Sequence, residues 1–446
     1  MCYAQDPDMR SFLPSSVIAS VSASTLGAAC AAALVVPLLF PAGAAALTAS
    51  PPQDGHRSQA AARAGGVQSL ALQPLDVGTR AGGDPAGTPE TAEPAGTQGL
   101  PATDTEPFSL LGVIWDDPAA GLPGVVQVRT RAADTGDWSA WTDLDPQSAH
   151  APDPGSAEAG DAGVRGGTAP LWVGASDGVR VRVVPHDGEP APALPAGLRL
   201  ELVDPGQREG SGETLPATGP GTDAGTGPDA GAEARAGGSG AAAAGKHEGP
   251  RPPITIRSGW GADEGLRESG FVYTNSVKTA FVHHTAGSNS YTCSEVPSVL
   301  RGIYRYHVQS QGWRDVGYNF FVDKCGKIYE GRAGGVAEPV QGAHTYGFNH
   351  NSMGVAVLGT YSSKDPGRDV RDALSLLTAW KLGLHDGNPQ GTRNRTSGGG
   401  KYAAGTTVRM KNISGHRDGY ATDCPGDELY GDLGTVRSTA ARLQGR

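Results

Sequence analysis

Apolar and polar positions divide the chain into stretches of different texture. Across residues 105–205, apolar and polar residues mostly alternate in short runs, the period of a half-buried strand. Runs at 108–115, 125–131, 138–141, 179–184 and 198–203 are separated by turn residues. They predict an all-β, sandwich-like accessory module, interrupted by a polar loop near 146–167, with its Trp residues in the core. From residue 254 the pattern changes. Residues 278–283 form a buried run, and Ser294 can cap a helix reaching about Ser310. Val296, Val299, Leu300, Ile303, Tyr306 and His307 share one side of that helix. Residues 316–322 and 327–329 read as a hairpin pair, 353–358 as a buried strand, 370–384 and 429–443 as helices, and 386–406 as a polar, Gly-rich loop. This alternation predicts an α/β domain over 254–446, with a central mixed sheet flanked by helices.

Between these regions the pattern fades. Residues 47–104 and 206–253 are rich in Ala, Gly, Pro and Thr and lack apolar periodicity. They read as a disordered spacer and as a flexible linker that lets the terminal domain move relative to the β module. Of the 34 Pro, 27 precede residue 251, which assigns much of the length to such segments. Residues 1–46 read as an export signal. A start at Met9 gives Met9-Arg10 as the basic end, Ala28 to Ala46 is apolar and small, and Ala42-Gly43-Ala44-Ala45-Ala46 suits cleavage. Pro37 and Pro41 break the run, which favours cleavage over a retained anchor, and Gly27-Ala28-Ala29 before Cys30 lacks the Leu of a lipoprotein signal. The expected location is therefore secreted, extracellular or wall-associated, with membrane contact only through the signal.

The net charge of −10 is unevenly placed. Residues 251–446 hold 23 Lys+Arg and 17 Asp+Glu, a net of +6; the remaining 13 basic and 29 acidic residues give −16. A mildly basic terminal domain suits an anionic partner. Without a Lys/Arg-rich run or a nucleic-acid motif, nucleic acid is not an expected partner. Loss of Cys2 and Cys30 with the signal leaves three Cys, of which Cys293 and Cys325 can pair and Cys424 is the odd thiol.

His283 ends an apolar run, and His416 and Cys424 lie eight residues apart in a Gly- and Pro-containing loop. Two imidazoles and a thiolate make a three-ligand zinc site with one position open. The spacing alone also fits a Cys424 nucleophile with His416 as base, or isolated structural side chains. His283 and His284 are neighbours on a strand and face opposite ways, so they do not both bind one metal.

Several motifs together are more specific. Arg257 to Ala262 (RSGWGA), VHHTAG at 282–287, YRYHVQSQGWRDVGYNFFVD at 304–323, YEGR at 329–332, GAHTYGFNHNSMGVAVLGTY at 342–361 and GHRDGYATDCPG at 415–426 occur in one order. Together they resemble the peptidoglycan recognition protein family, the type 2 N-acetylmuramoyl-L-alanine amidases, in a bacterial secreted form. The resemblance implies zinc held by His283, His416 and Cys424, catalysis by Tyr318 and Thr422, and peptidoglycan muropeptides as substrate. It implies a groove formed by His284, His307, His344 and Asn349, with Gly312, Trp313 and Arg332 selecting diaminopimelate peptides. The retained Cys424 favours an amidase over a recognition protein that binds without cutting. Two departures stand out. Ala356 occupies the position of a Glu found in related cytosolic amidases, which moves weight to Tyr318. Cys293 has only Cys325 as a partner, where animal relatives pair two nearby Cys.

Overall fold

The computed structural model describes residues 64–75, 98–122, 124–146, 150–184, 194–219 and 247–446. The expected signal, and the remaining parts of the spacer and linker, lie outside the described residues.

The N-terminal strands are β1 (Gly66–Ala71), β2 (Gln73–Pro74), β3 (Gln98–Trp115), β4 (Val125–Ala132), β5 (Thr142–Leu144), β6 (Gly166–Gly167), β7 (Leu171–Val184) and β8 (Arg199–Asp204). They form one antiparallel sheet in the order β1-β8-β3-β7-β4-β5, with β2 and β6 pairing with β3. Register shifts along β3 and β7 interrupt this long pairing. Leu111, Val113, Trp115, Val126, Val128, Val181 and Leu202 form its core. Two sequence expectations need correction. Residues 66–71 and 98–104, read as spacer, are strands whose backbone groups complete the sheet, with Leu70, Leu72 and Leu100 against the core. Trp138 and Trp141 are not core: they lie beside the guanidinium groups of Arg129, Arg131, Arg180 and Arg182.

The terminal region contains β9 (Thr214–Leu215), β10 (Ile254–Thr255), α1 (Arg257–Trp260), β11 (Thr279–His284), α2 (Val296–Arg305), β12 (Phe320–Val322), β13 (Ile328–Glu330), β14 (Ser352–Val357), α3 (Arg368–Gly383), β15 (Thr392–Thr396), β16 (Thr407–Lys411), β17 (Ile413–Gly415), α4 (His416–Gly419) and α5 (Asp427–Leu443). A seven-stranded mixed sheet runs β17-β11-β14-β12-β13-β10-β9. All six residues of β11 and of β14 are buried, which explains why neither strand alternates apolar with polar residues. Ala280 and Val282 pack with Leu374, Leu377, Leu429 and Leu433 of α3 and α5. Phe281 and His283 alternate to the opposite face.

Three local readings differ from the structure. Helix α2 starts at Val296 with Pro297 in its first turn, and Ser294 makes no side-chain cap. Instead, the Glu295 carboxylate accepts the Thr292 N–H and O–H, both at 2.7 Å. The expected end of that helix, Tyr306–Ser310, winds as one π-helical turn. The polar loop after α3 contains β15, which pairs antiparallel with β16 just beyond the loop's expected end. The pair's apolar content, Val408 and Met410 against Phe281 and Phe348, was too sparse to mark strands. Arg395 ties it down, donating to Thr279 Oγ1 and to backbone carbonyls that include Phe348 O and Asn351 O.

The expected freedom between the two modules is also corrected. Leu110, Ile114, Trp172 and Val203 of the N-terminal sheet join one apolar cluster with Trp260, Val299, Leu300, Ile303 and Tyr304. Residues 110–115 are apolar without alternation because β3 is covered on both faces. Burying each large side chain contributes about 1.5–3 kcal/mol. At Gly112 the approach is so close that a Cβ would lie 2.4 Å from the Tyr306 hydroxyl. That hydroxyl donates to Thr168 O at 3.1 Å. The described part of the linker is ordered too, as β9 pairs with β10. The described residues therefore fall within one compact unit, Gln59–Arg446.

Cys293 and Cys325 are bonded, across a sequence separation of 32. By loop-closure entropy this cross-link is worth about 3–4 kcal/mol. Replacing both with Ser is expected to lower unfolding free energy by that amount in a denaturant titration. A second test concerns Lys381, which is buried on α3 and donates to Glu338 O at 2.8 Å. Burial lowers its pKa to about 7. Between pH 7 and 10 the unfolded chain then binds more protons at this site, so its contribution makes stability rise with pH across that window. Thermal unfolding of Lys381→Met at several pH values should show a smaller rise.

Candidate metal centre

The carboxyl end of β11 delivers His283, and β17 runs directly into α4, whose first residue is His416. The two strands are parallel neighbours, with Val282 opposite Gly415, so both imidazoles emerge at the same end of the sheet. Cys424 arrives from the loop between α4 and α5. Its Sγ accepts the His284 N–H at 3.3 Å and lies 3.9 Å from His283 Nδ1. The structure thus brings His283, His416 and Cys424 together. It adds a fourth donor, His150, whose Nε2 lies 3.1 Å from His283 Nδ1. One ligand atom from each of the four lies within 4.8 Å of the others, and all four residues are buried.

This donor set fits zinc. Zinc–nitrogen and zinc–sulfur bonds of about 2.0–2.1 and 2.3 Å imply ligand–ligand edges of about 3.3–3.6 Å in a tetrahedron; the separations of 3.1 and 3.9 Å to His283 bracket that range. Burial, followed by the neighbouring imidazoles, holds His283 and His150 well below the usual histidine pKa, in the neutral form that ligates. Burial also pushes the Cys424 thiol up, against the His284 N–H, so a nearby cation suits its thiolate. Thr345 Oγ1 stands 3.5 Å from His283 Nε2, on the far side of that ring.

Tyr318 is buried beside this group, with ring centroids 5.4 Å from both His283 and His150. The Thr422 hydroxyl accepts the N–H of Cys424, a member of the group, at 3.2 Å. His284 faces away, and its Nδ1 accepts the Tyr361 N–H at 3.3 Å. Burial, and then Arg417, lower its pKa to about 4. His307, on the π turn, stacks at 4.5 Å on Trp313 and accepts the Gly317 N–H. Burial, then Arg332, lower its pKa to about 3. His344 is buried at 5.3 Å from the His283 ring. Asn349 Oδ1 accepts the His344 and Thr345 amides. Arg332 forms a two-pronged ion pair with Glu158, at 2.9 and 2.7 Å. Gly312 has φ +73, and a Cβ there would lie 1.9 Å from Gly163 O.

Sequence reasoning missed His150 and Glu158, which belong to the loop near 146–167. A His and acidic residues in a polar loop give no local sign of where the loop folds.

A family model described as N-acetylmuramoyl-L-alanine amidase matches residues 273–427. A second, described as the Rv3811 N-terminal galactose-binding domain-like domain, matches residues 62–199. Peptidoglycan-recognition protein SC2 of Drosophila melanogaster is 30% identical over 41% of this chain and 85% of its own length. Peptidoglycan-recognition protein SC1a of the same organism is 33% identical over 36% of this chain and 73% of its own length. A solved structure of peptidoglycan recognition protein-LE in complex with tracheal cytotoxin is 27% identical, covers 41% of this chain and 92% of that chain, and has a TM-score of 0.32. The length of these sequence matches, joined to the motifs that carry them, places the chain in the peptidoglycan recognition protein and type 2 N-acetylmuramoyl-L-alanine amidase family.

Proposed function

We propose that this protein is an exported, zinc-dependent N-acetylmuramoyl-L-alanine amidase that cuts between the muramic acid lactyl group and L-alanine of peptidoglycan stem peptides. The observation that carries this reading is the convergence of His283, His416 and Cys424 beside Tyr318. His283, His416 and Cys424 would hold the ion. When bound, zinc supplies an acidified water and polarises the scissile carbonyl. His283 presents Nδ1 to the centre, with Thr345 behind its other nitrogen. Tyr318 is the donor for the oxyanion that develops at the lactyl carbonyl. Thr422 positions the Cys424 amide through its own hydroxyl.

Arg332 supports a diaminopimelate-type substrate. Its guanidinium holds the Glu158 carboxylate in a paired geometry that a stem-peptide carboxylate would take in its place. His307 and Trp313 stack beside Tyr318 and would flank the peptide. Asn349 Oδ1 braces the His344 backbone, while His284 acts through its backbone N–H on Cys424 rather than through its ring. A non-catalytic peptidoglycan-binding protein is the competing reading, because the family relatives are named for recognition.

Zinc at 100 times its Kd is expected to stabilise the protein by about 2.7 kcal/mol. Cys424→Ser should lose most of that gain in the same thermal or denaturant titration. Mass spectrometry of diaminopimelate muropeptides after prolonged incubation should find stem peptides with a free L-alanine amine. Tyr318→Phe should keep zinc yet lower the rate by about 10²–10³-fold. Binding of muropeptides by zinc-loaded protein with no cleavage product would establish recognition alone.

A further inference from the structure

The segment between β5 and β6 crosses the candidate site and engages its recognition groups in turn. His150 joins the three metal-ligating residues, 3.1 Å from His283 and with ring centroids 4.3 Å from His416. Its Nδ1 is buried without a hydrogen-bond partner. Ala151 O and Asp153 Oδ1 accept the Asn349 side-chain amide at 2.9 and 2.8 Å, and Asp153 also accepts the Gly347 N–H. Glu158 fills the Arg332 fork and accepts the Arg314 N–H at 3.1 Å. Asp161 makes a paired contact with the Arg314 guanidinium, at 2.7 and 3.0 Å. Gly163 O rests on Gly312. Residues 150–163 contain three carboxylates and no Lys or Arg.

A loop that merely joined two strands would need none of these matches. Here one ligand-type side chain meets the metal donors, and a carboxylate sits on the arginine proposed to select a substrate carboxylate. His150 meets the candidate metal donors at one end of this segment, and Glu158 pairs with Arg332, the proposed diamino-acid contact, eight residues further on.

We infer that residues 150–163 are an autoinhibitory strap: His150 takes the fourth metal position, while Asp153 and Glu158 occupy the groove in place of the stem peptide. This inference rests on the zinc amidase reading. The strap must leave before water and substrate can enter, so the protein is latent in this conformation. Because the strap is tethered, it competes without dilution. A strap docked about 99% of the time weakens apparent substrate affinity about 100-fold. The strap runs on into β6 of the N-terminal sheet, which is thereby a control element for the site.

The test uses the full chain and two variants, His150→Ala and the conservative Glu158→Gln, with circular dichroism to verify folding; if one does not fold, the other decides. Three readouts are compared. In cobalt-loaded protein, azide should leave the wild-type visible spectrum unchanged and alter that of His150→Ala. The uncleavable tripeptide L-Ala-D-Glu-meso-diaminopimelate, titrated by calorimetry, should bind both variants at least about tenfold tighter than wild type. Zinc-loaded variants should release stem peptides from muropeptides faster than wild type. Tighter tripeptide binding and azide access without any cleavage would uphold the strap and refute the amidase reading. A wild-type protein that admits azide and binds the tripeptide as tightly as the variants would overturn the strap, whatever its cleavage rate.

Discussion

Strand β3 is covered on both faces, and the remainder of the arrangement depends on that. One face packs Leu111, Val113 and Trp115 into its own sheet; the other presents Leu110 and Ile114 to α2 and its neighbours. Gly112 and Gly302 let the two surfaces approach, Gly112 beneath Tyr306 and Gly302 against Leu110. Loss of these contacts would expose apolar surface on both modules at once. Their burial fixes β5 and β6, and with them the segment that crosses the metal centre.

The centre itself follows from a different constraint. Imidazoles bind a metal only when neutral, and a thiol binds as its anion. Burial at the carboxyl end of β11 and β17 secures the first condition. The second is opposed by the same burial and favoured by the His284 N–H and by any cation held there. The pocket is therefore poised for a divalent ion, and Arg332, a buried guanidinium, is balanced by Glu158.

Much of the terminal domain was legible. Short apolar runs, at 280–282 and 353–358, marked β11 and β14, and apolar residues at helical spacing marked α3 and α5. The ordered motifs led to His283, His416, Cys424 and Tyr318, which the fold brings together. What stayed hidden has physical causes. The strands at 66–71 and 98–104 are held largely by backbone hydrogen bonds, which leave little trace in side-chain pattern. The β15/β16 hairpin relies on Arg395, a polar residue with a buried role. The welded modules were obscured by a linker composition that suggested freedom. The unbroken apolar run at 110–115 was the available sign, since a sheet with one wet face should alternate there. His150 had no sign at all, because its role exists only once the two modules meet.

The proposed chemistry turns on a zinc ion held by one thiolate and by imidazoles, and X-ray absorption at the zinc edge of the loaded full chain reads those ligands. The prediction is one sulfur scatterer at about 2.3 Å with imidazole nitrogens at about 2.0–2.1 Å. A shell of nitrogen and oxygen without sulfur would contradict it.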